Sequence, residues 1–151
     1  TGEALSLDVL DGARVTRFLA PGPTDLGLVV RGAGDVNGDG YDDVLVSALP
    51  ATVDGTLRPL HYMVFGGGDA FAANLDLASL DGTDGFALVT ANNLRAELDG
   101  LNIASAGDVN GDGFDDLIIG MPGAYAVGEA NSGGAVVVFG HGGPSAATLD
   151  L

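Results

Sequence analysis

The stretch Ala33-Gly-Asp-Val-Asn-Gly-Asp-Gly-Tyr-Asp-Asp-Val-Leu-Val46 decides how this chain is read, because it returns as Ala106-Gly-Asp-Val-Asn-Gly-Asp-Gly-Phe-Asp-Asp-Leu-Ile-Ile119, an offset of 73. Self-similarity at a fixed period marks a repeat architecture. The similarity extends outward from this core. Downstream, Met63-Val-Phe-Gly66 returns as Val137-Val-Phe-Gly140. A third element, Leu75-Asp-Leu77 with Leu80-Asp-Gly82, has an earlier counterpart in Leu5-Ser-Leu7 with Leu10-Asp-Gly12, and opens once more at Leu149-Asp-Leu151.

A unit of about 70 residues therefore reads, in order, as a strand near Leu28 to Ala33, an acidic loop, and strands near Val44 to Ser47, His61 to Phe65 and Gly85 to Thr90. The second copy supplies Leu101 to Ala106, Leu117 to Gly120 and Ala135 to Phe139, while the missing fourth strand has its counterpart around Arg14 to Leu19. Short Val, Leu and Ile runs between turn residues favour strands over helices. The expected fold is all-β, with β-propeller-type four-stranded blades in two repeats and a ring closed only by further repeats or by oligomerisation. Residues 1–151 are expected to form one propeller segment: 1–25 the fourth strand of a permuted blade, 26–98 repeat 1, and 99–151 repeat 2 with the start of a third. A β-sandwich built by duplication is the competing architecture. Two blades leave two open faces, and stacked units usually need about three copies to cover their cores. Either the segment belongs to a longer propeller or several copies assemble head to tail.

Composition narrows the function. With 151 residues and 46% hydrophobic content, the chain has enough apolar material for a core. A formal charge of −16, from 21 acidic and five basic residues, argues against nucleic acid and anionic membranes as partners. No run approaches the roughly 18 apolar residues that span a bilayer, and Thr-Gly-Glu-Ala at the start reads as neither a signal peptide nor an anchor. The absence of cysteine excludes disulfides, thiolate metal sites and a cysteine nucleophile.

Eight of the 21 acids fall in two nine-residue windows, Asp35 to Asp43 and Asp108 to Asp116. Such clusters repel themselves unless a cation lies between them. In each window, oxygen-bearing side chains stand at positions 1, 3, 5 and 9: Asp35, Asn37, Asp39 and Asp43, then Asp108, Asn110, Asp112 and Asp116. The carbonyl of Tyr41 or Phe114 at position 7 is expected to add another oxygen. Alternate oxygens on a tightly curled loop suit calcium, which takes six to eight oxygen ligands, and one Ca²⁺ per loop is the expected complement. Gly38, Gly40, Gly111 and Gly113 permit the curl. Magnesium's strict octahedral geometry fits less well, and zinc or copper would favour imidazole or thiolate. Solvated Asx/Gly turns are the competing reading. An EF-hand expects Glu at position 12, where this chain has Val46 and Ile119, followed by a buried-strand pattern.

These residues resemble the FG-GAP repeats of integrin α-subunit β-propellers and their bacterial relatives. The resemblance rests on Gly-Asp-Val-Asn-Gly-Asp-Gly-Phe-Asp-Asp-Leu-Ile-Ile-Gly at 107–120, with Phe65-Gly66 and Phe139-Gly140 as the "FG" elements. It implies calcium on both loops, a four-stranded blade per repeat, and extracellular adhesion or ligand recognition. This chain departs at the "GAP" element, which is Gly120-Met-Pro122 in one copy and Ser47-Ala-Leu-Pro50 in the other.

The remaining residues give no catalytic constellation. His61 and His141 have no acidic or nucleophilic neighbour in a catalytic arrangement, and no Gly-x-Ser-x-Gly elbow occurs. The loop carboxylates could form a glycosidase-like pair but are better committed to metal. Pro50 to Pro59 and Gly123 to Gly134 vary most between the copies and are the expected places of partner contact. The sequence thus points to a non-enzymatic, secreted or cell-surface module with structural calcium, recognising a protein or glycan and possessing the means to form a homo-oligomeric ring. A self-assembling scaffold, or a non-catalytic carrier within a secreted polysaccharide-acting enzyme, is the alternative.

Overall fold

The computed structural model describes residues 15–22, 24–53, 56–90, 102–121 and 133–151. The Leu5–Leu7 and Leu10–Gly12 elements, Arg14, Leu101 and most of the 123–134 segment lie outside the described residues.

Among the described residues ten strands follow one another: β1 (Arg17–Leu19), β2 (Asp25–Gly34), β3 (Asp43–Val53), β4 (Thr56–Val64), β5 (Asn74–Asp76), β6 (Gly85–Val89), β7 (Ile103–Gly107), β8 (Asp116–Met121), β9 (Gly134–Val138) and β10 (Thr148–Asp150). The helical element among the described residues is a single 3₁₀ turn at Leu77–Ser79, capped by the Asp76 carboxylate, which accepts from Ala78 N. The architecture is all-β, as the sequence predicts, and its sheets are separate blades rather than a closed ring. Repeat 1 forms antiparallel β2-β3-β4-β6, with β10 added to the outer edge of β6. Repeat 2 forms antiparallel β7-β8-β9. The registers agree: Val30 pairs with Val46 as Ile103 pairs with Ile119, and Leu45 pairs with Met63 as Ile118 pairs with Val137.

Alternation places two apolar faces on repeat 1. One face carries Val29, Ala33, Leu45, Met63, Phe65, Phe86 and Leu88, and closes on Ile103, Leu117 and Ile119 of repeat 2. Phe65 and Phe86 meet edge to face at 5.8 Å between ring centroids. The opposite face, with Ala48, Tyr62 and Val64, is covered by Leu77, Leu80, Phe18 and Leu75. Period-2 patterning is what lets one sheet serve two cores.

Two features differ from the sequence expectation. Residues 50–59, expected to form a variable connection, instead prolong the β3–β4 hairpin as far as Val53 and Thr56, with a register shift between Ala48 and Ala51 that accommodates Pro50. The Leu-Asp-Leu elements are themselves short strands, β5 and β10, each lying parallel to a fourth strand, β1 and β6 respectively. Three residues are too few for alternation to declare a strand.

Candidate metal-binding loops

The two acidic loops adopt one conformation, built by the side chains on their own backbone. Asp35 accepts from Gly38 N at 2.7 Å, Asp39 N at 3.0 Å and Gly40 N at 2.9 Å. Asp108 does the same with Gly111, Asp112 and Gly113, at 2.7, 3.0 and 2.9 Å. Asn37 and Asn110 add a second acceptor to the N–H of Asp39 and Asp112, each at 3.0 Å. Asp39 accepts from Tyr41 N, and Asp112 from Phe114 N. Successive N–H groups directed at carboxylates require a left-handed turn, supplied by Gly38 at φ +77° and Gly111 at φ +78°.

Position 9 has a different environment. Asp43 and Asp116 are buried among apolar strands, and each joins the ends of its loop to the third strand. Asp43 accepts from Val36 N and Gly66 N, both at 2.8 Å, while Asp116 accepts from Val109 N and Gly140 N, both at 2.9 Å. Burial raises the Asp43 carboxyl above its ordinary range, against the two N–H donors that lower it. The Phe-Gly element thereby acquires a physical role, since its glycine N–H is the second donor to the loop's last carboxylate.

The structure brings the residues at positions 1, 3 and 5 together and sets position 9 beneath them as a buried tie. Among the described residues, no group of three or more acidic or histidine side chains is placed to hold a metal ion. The donor set nevertheless fits a hard cation. It is all oxygen, oxygens from Asp35 and Asn37 converge on the Asp39 N–H, and Asp35 Oδ2, which accepts from Gly40 N, keeps a further lone pair. Of the position-7 residues, the Phe114 ring lies against Gly38 of the other loop, where an added Cβ would stand 2.2 Å from it, and Tyr41 is half exposed near Gly68.

The loops also join the repeats. Asp115 N donates to Asp35 O at 2.9 Å, and Asp35 N donates back to the Asp115 carboxylate at 2.8 Å. His141 N donates to Val36 O at 3.0 Å, so His141 serves through its backbone. Reading the sequence for ligands passed over Asp42 and Asp115, although an acid at the same loop position in both copies was the available signal.

His61 is fully buried, with Ser47 Oγ 2.8 Å from its Nδ1. Burial lowers its pKa to about 4, so the ring is neutral over the physiological range. Among the described residues no acid joins this pair, and Ser47 is a hydroxyl neighbour that the sequence reading did not give His61.

Among the described residues, no helix is long and apolar enough to cross a membrane. No curated protein matches the chain. The family comparison falls on the second unit, where β7, the acidic loop, β8 and β9 lie: residues 101–139 match the model of the FG-GAP repeat family.

Proposed function

We propose that the chain is a non-catalytic, calcium-stabilised propeller module acting in extracellular or cell-surface recognition of a protein or glycan. The observation that carries this reading is the duplicated loop, which keeps the same eight intraloop and loop-closing hydrogen bonds in both copies, the three onto Asp35 or Asp108 among them. Asp35, Asn37, Asp39 and Asp43, with the Tyr41 carbonyl, would hold one ion; Asp108, Asn110, Asp112 and Asp116, with the Phe114 carbonyl, would hold the other. The ion would supply charge neutralisation for three carboxylates per loop. The chain's own groups do the rest, since the loop hydrogen bonds fix the turn and the buried Asp43 and Asp116 fix it to the sheet.

Extracellular calcium modules bind at roughly 10⁻⁴ to 10⁻³ M, which at ~2 mM calcium stabilises the fold by about 0.7 to 1.8 kcal/mol per site. Calorimetric titration with Ca²⁺ and Mg²⁺ is the direct test, with two calcium sites expected and a weaker magnesium response. Asp39→Ala and Asp112→Ala should lower the melting temperature more in calcium than in chelator, where they remove only the exposed loop hydrogen bonds from Tyr41 N and Phe114 N. Equal losses in both conditions, or the absence of binding heat at millimolar calcium, would sink the reading.

A further inference from the structure

We propose that the two acidic loops form one conformational unit, in which loop 108–116 holds loop 35–43 in shape through the Phe114 ring and the Asp115 carboxylate, so that whatever orders one loop orders the other. The coupling is built from contacts within the chain; its consequence for calcium, cooperative filling of the two loops, rests on the functional reading above.

The contacts cross from the second loop, and from the turn behind it, to the first. Asp115 binds both backbone groups of Asp35: its N donates to Asp35 O at 2.9 Å, and its carboxylate accepts from Asp35 N at 2.8 Å. His141 N donates to Val36 O at 3.0 Å, and the Phe114 ring lies against Gly38. Gly140 sits where the loops meet, and an added Cβ there would stand 2.7 Å from Val36 O of the first loop and 2.8 Å from Phe114 Cβ of the second. A junction packed this closely passes a displacement on rather than absorbing it.

These contacts fall on the residues that build the first loop. The Asp35 carboxylate gathers the N–H groups of Gly38, Asp39 and Gly40, and it can do so only while the Asp35 backbone is fixed, which is what Asp115 does. Gly38 makes the left-handed turn beneath Phe114. Val36 is buried, with its N tied to Asp43 and its O to His141. The second loop therefore holds the first at its central carboxylate, its turn and its tie to the sheet.

That hold depends on the second loop's own order. Asp112 accepts from Phe114 N at 3.0 Å and from Asn110 Nδ2 at 2.7 Å, and its own N donates to Asp108 and Asn110, so its hydrogen bonds stay within the second loop. Asp112 nevertheless fixes the backbone from which the Phe114 ring reaches Gly38. A disturbance at Asp112 thus has a continuous route, through Phe114, to the turn of the first loop. Such coupling is reciprocal, so opening the first loop loosens the second by the same factor.

Amide hydrogen exchange in chelator reads the coupling with no metal present. Gly40 N is the probe, because its bond runs to Asp35 inside the first loop. Asp112→Ala and Phe114→Ala should each speed its exchange about fivefold or more through local opening, the lower end of ordinary coupling between sites. Asp112 is exposed, so its loss leaves the blade folded, and the amides of β4 report this. Asp112→Asn keeps an acceptor for Phe114 N and should restore Gly40 protection although it removes a carboxylate. In a Phe114→Ala background, Asp112→Ala should add nothing further at Gly40. Unchanged Gly40 exchange in both alanine variants overturns the inference, as does an Asp112→Ala effect that persists undiminished once Phe114 is gone.

Calorimetric titration with Ca²⁺ separates this inference from the functional reading. The natural chain should fill its two loops cooperatively, and Asp115→Ala, which lies outside the ligand set, should lessen that cooperativity. Two independent calcium sites in the natural chain would tell against the coupling alone. Transmitted exchange without binding heat would tell against the calcium sites alone.

Discussion

Asp43 in repeat 1 and Asp116 in repeat 2 make the same pair of backbone hydrogen bonds, yet the valines they hold have opposite fates. Val36 is buried beneath repeat 2, while Val109, the same residue of the next unit, is 57% exposed. The loops are alike because their conformation is set by side chains bonding within a few residues of themselves, which any copy of the sequence reproduces. The surroundings differ because each sheet takes its burial from a neighbour, and the two repeats do not have the same neighbours. Local chemistry fixes the turn; position in the stack fixes the core.

The strongest challenge to that division is to remove the loop ties themselves. Asp43→Ala takes two charge-assisted hydrogen bonds from the chain, each worth about 1.5 to 3 kcal/mol, and leaves the buried Val36 N–H without an acceptor. The expected loss in urea denaturation is about 3 to 6 kcal/mol. Asp116→Ala should lose a similar amount, because in repeat 2 it is Gly140 N that lies buried. A loss under about 1 kcal/mol for either variant would show that the carboxylate is not the tie between loop and third strand.

The next comparison concerns a pair that repeat 1 has and repeat 2 lacks. Ser47 and His61 of repeat 1 correspond to Gly120 and Ala135, so the buried imidazole has no counterpart. With a folded pKa of about 4 against an ordinary 6.5, His61 binds fewer protons in the folded state between those values. Stability attributable to this group is therefore flat above pH 6.5 and falls as the pH drops toward 4, by about 3 kcal/mol across the window at 1.36 kcal/mol per unit. Urea midpoints measured from pH 7.5 to 4 should decline more steeply for the natural chain than for His61→Gln. Parallel slopes would mean that the ring is hydrated or otherwise satisfied in the folded protein.

Much of this arrangement was legible in the residues. The offset between Ala33–Val46 and Ala106–Ile119 announces two copies of one unit, and the Val-Leu-Val and Leu-Ile-Ile runs after each loop announce buried strands. Position 9 was legible as a conserved acid between the copies but not as a buried tie, because its partners, Gly66 and Gly140, lie 23 and 24 residues away. The docking strands β5 and β10 were hidden for a similar reason. A three-residue Leu-Asp-Leu element has no local preference strong enough to declare itself, and becomes a strand only by lying against β1 or β6. The reach of the β3–β4 hairpin escaped notice because Pro50 to Pro59 varies most between the copies and so reads as a connection, whereas the pairing continues through it with a register shift between Ala48 and Ala51.

The smallest expected effect is also the most discriminating between local and positional causes. Gly34 and Gly107 are the same residue of the two units and share a left-handed backbone, at φ +75° and +69°. A side chain at either position should therefore bring the same conformational strain, about 1 to 3 kcal/mol. Only Gly34 has a neighbour in the way: a Cβ there would stand 1.9 Å from Asp115 Oδ2, whereas at Gly107 nothing lies within 4 Å. Gly34→Ala must then also push aside the carboxylate that holds Asp35 N and the repeat interface with it. In urea denaturation, Gly34→Ala should be less stable than Gly107→Ala by about 2 kcal/mol, the scale of a forced overlap in a packed site. Equal stabilities would assign the glycine requirement to the backbone alone, and a gap of the expected size would assign the remainder to the Asp115 carboxylate packed against Gly34.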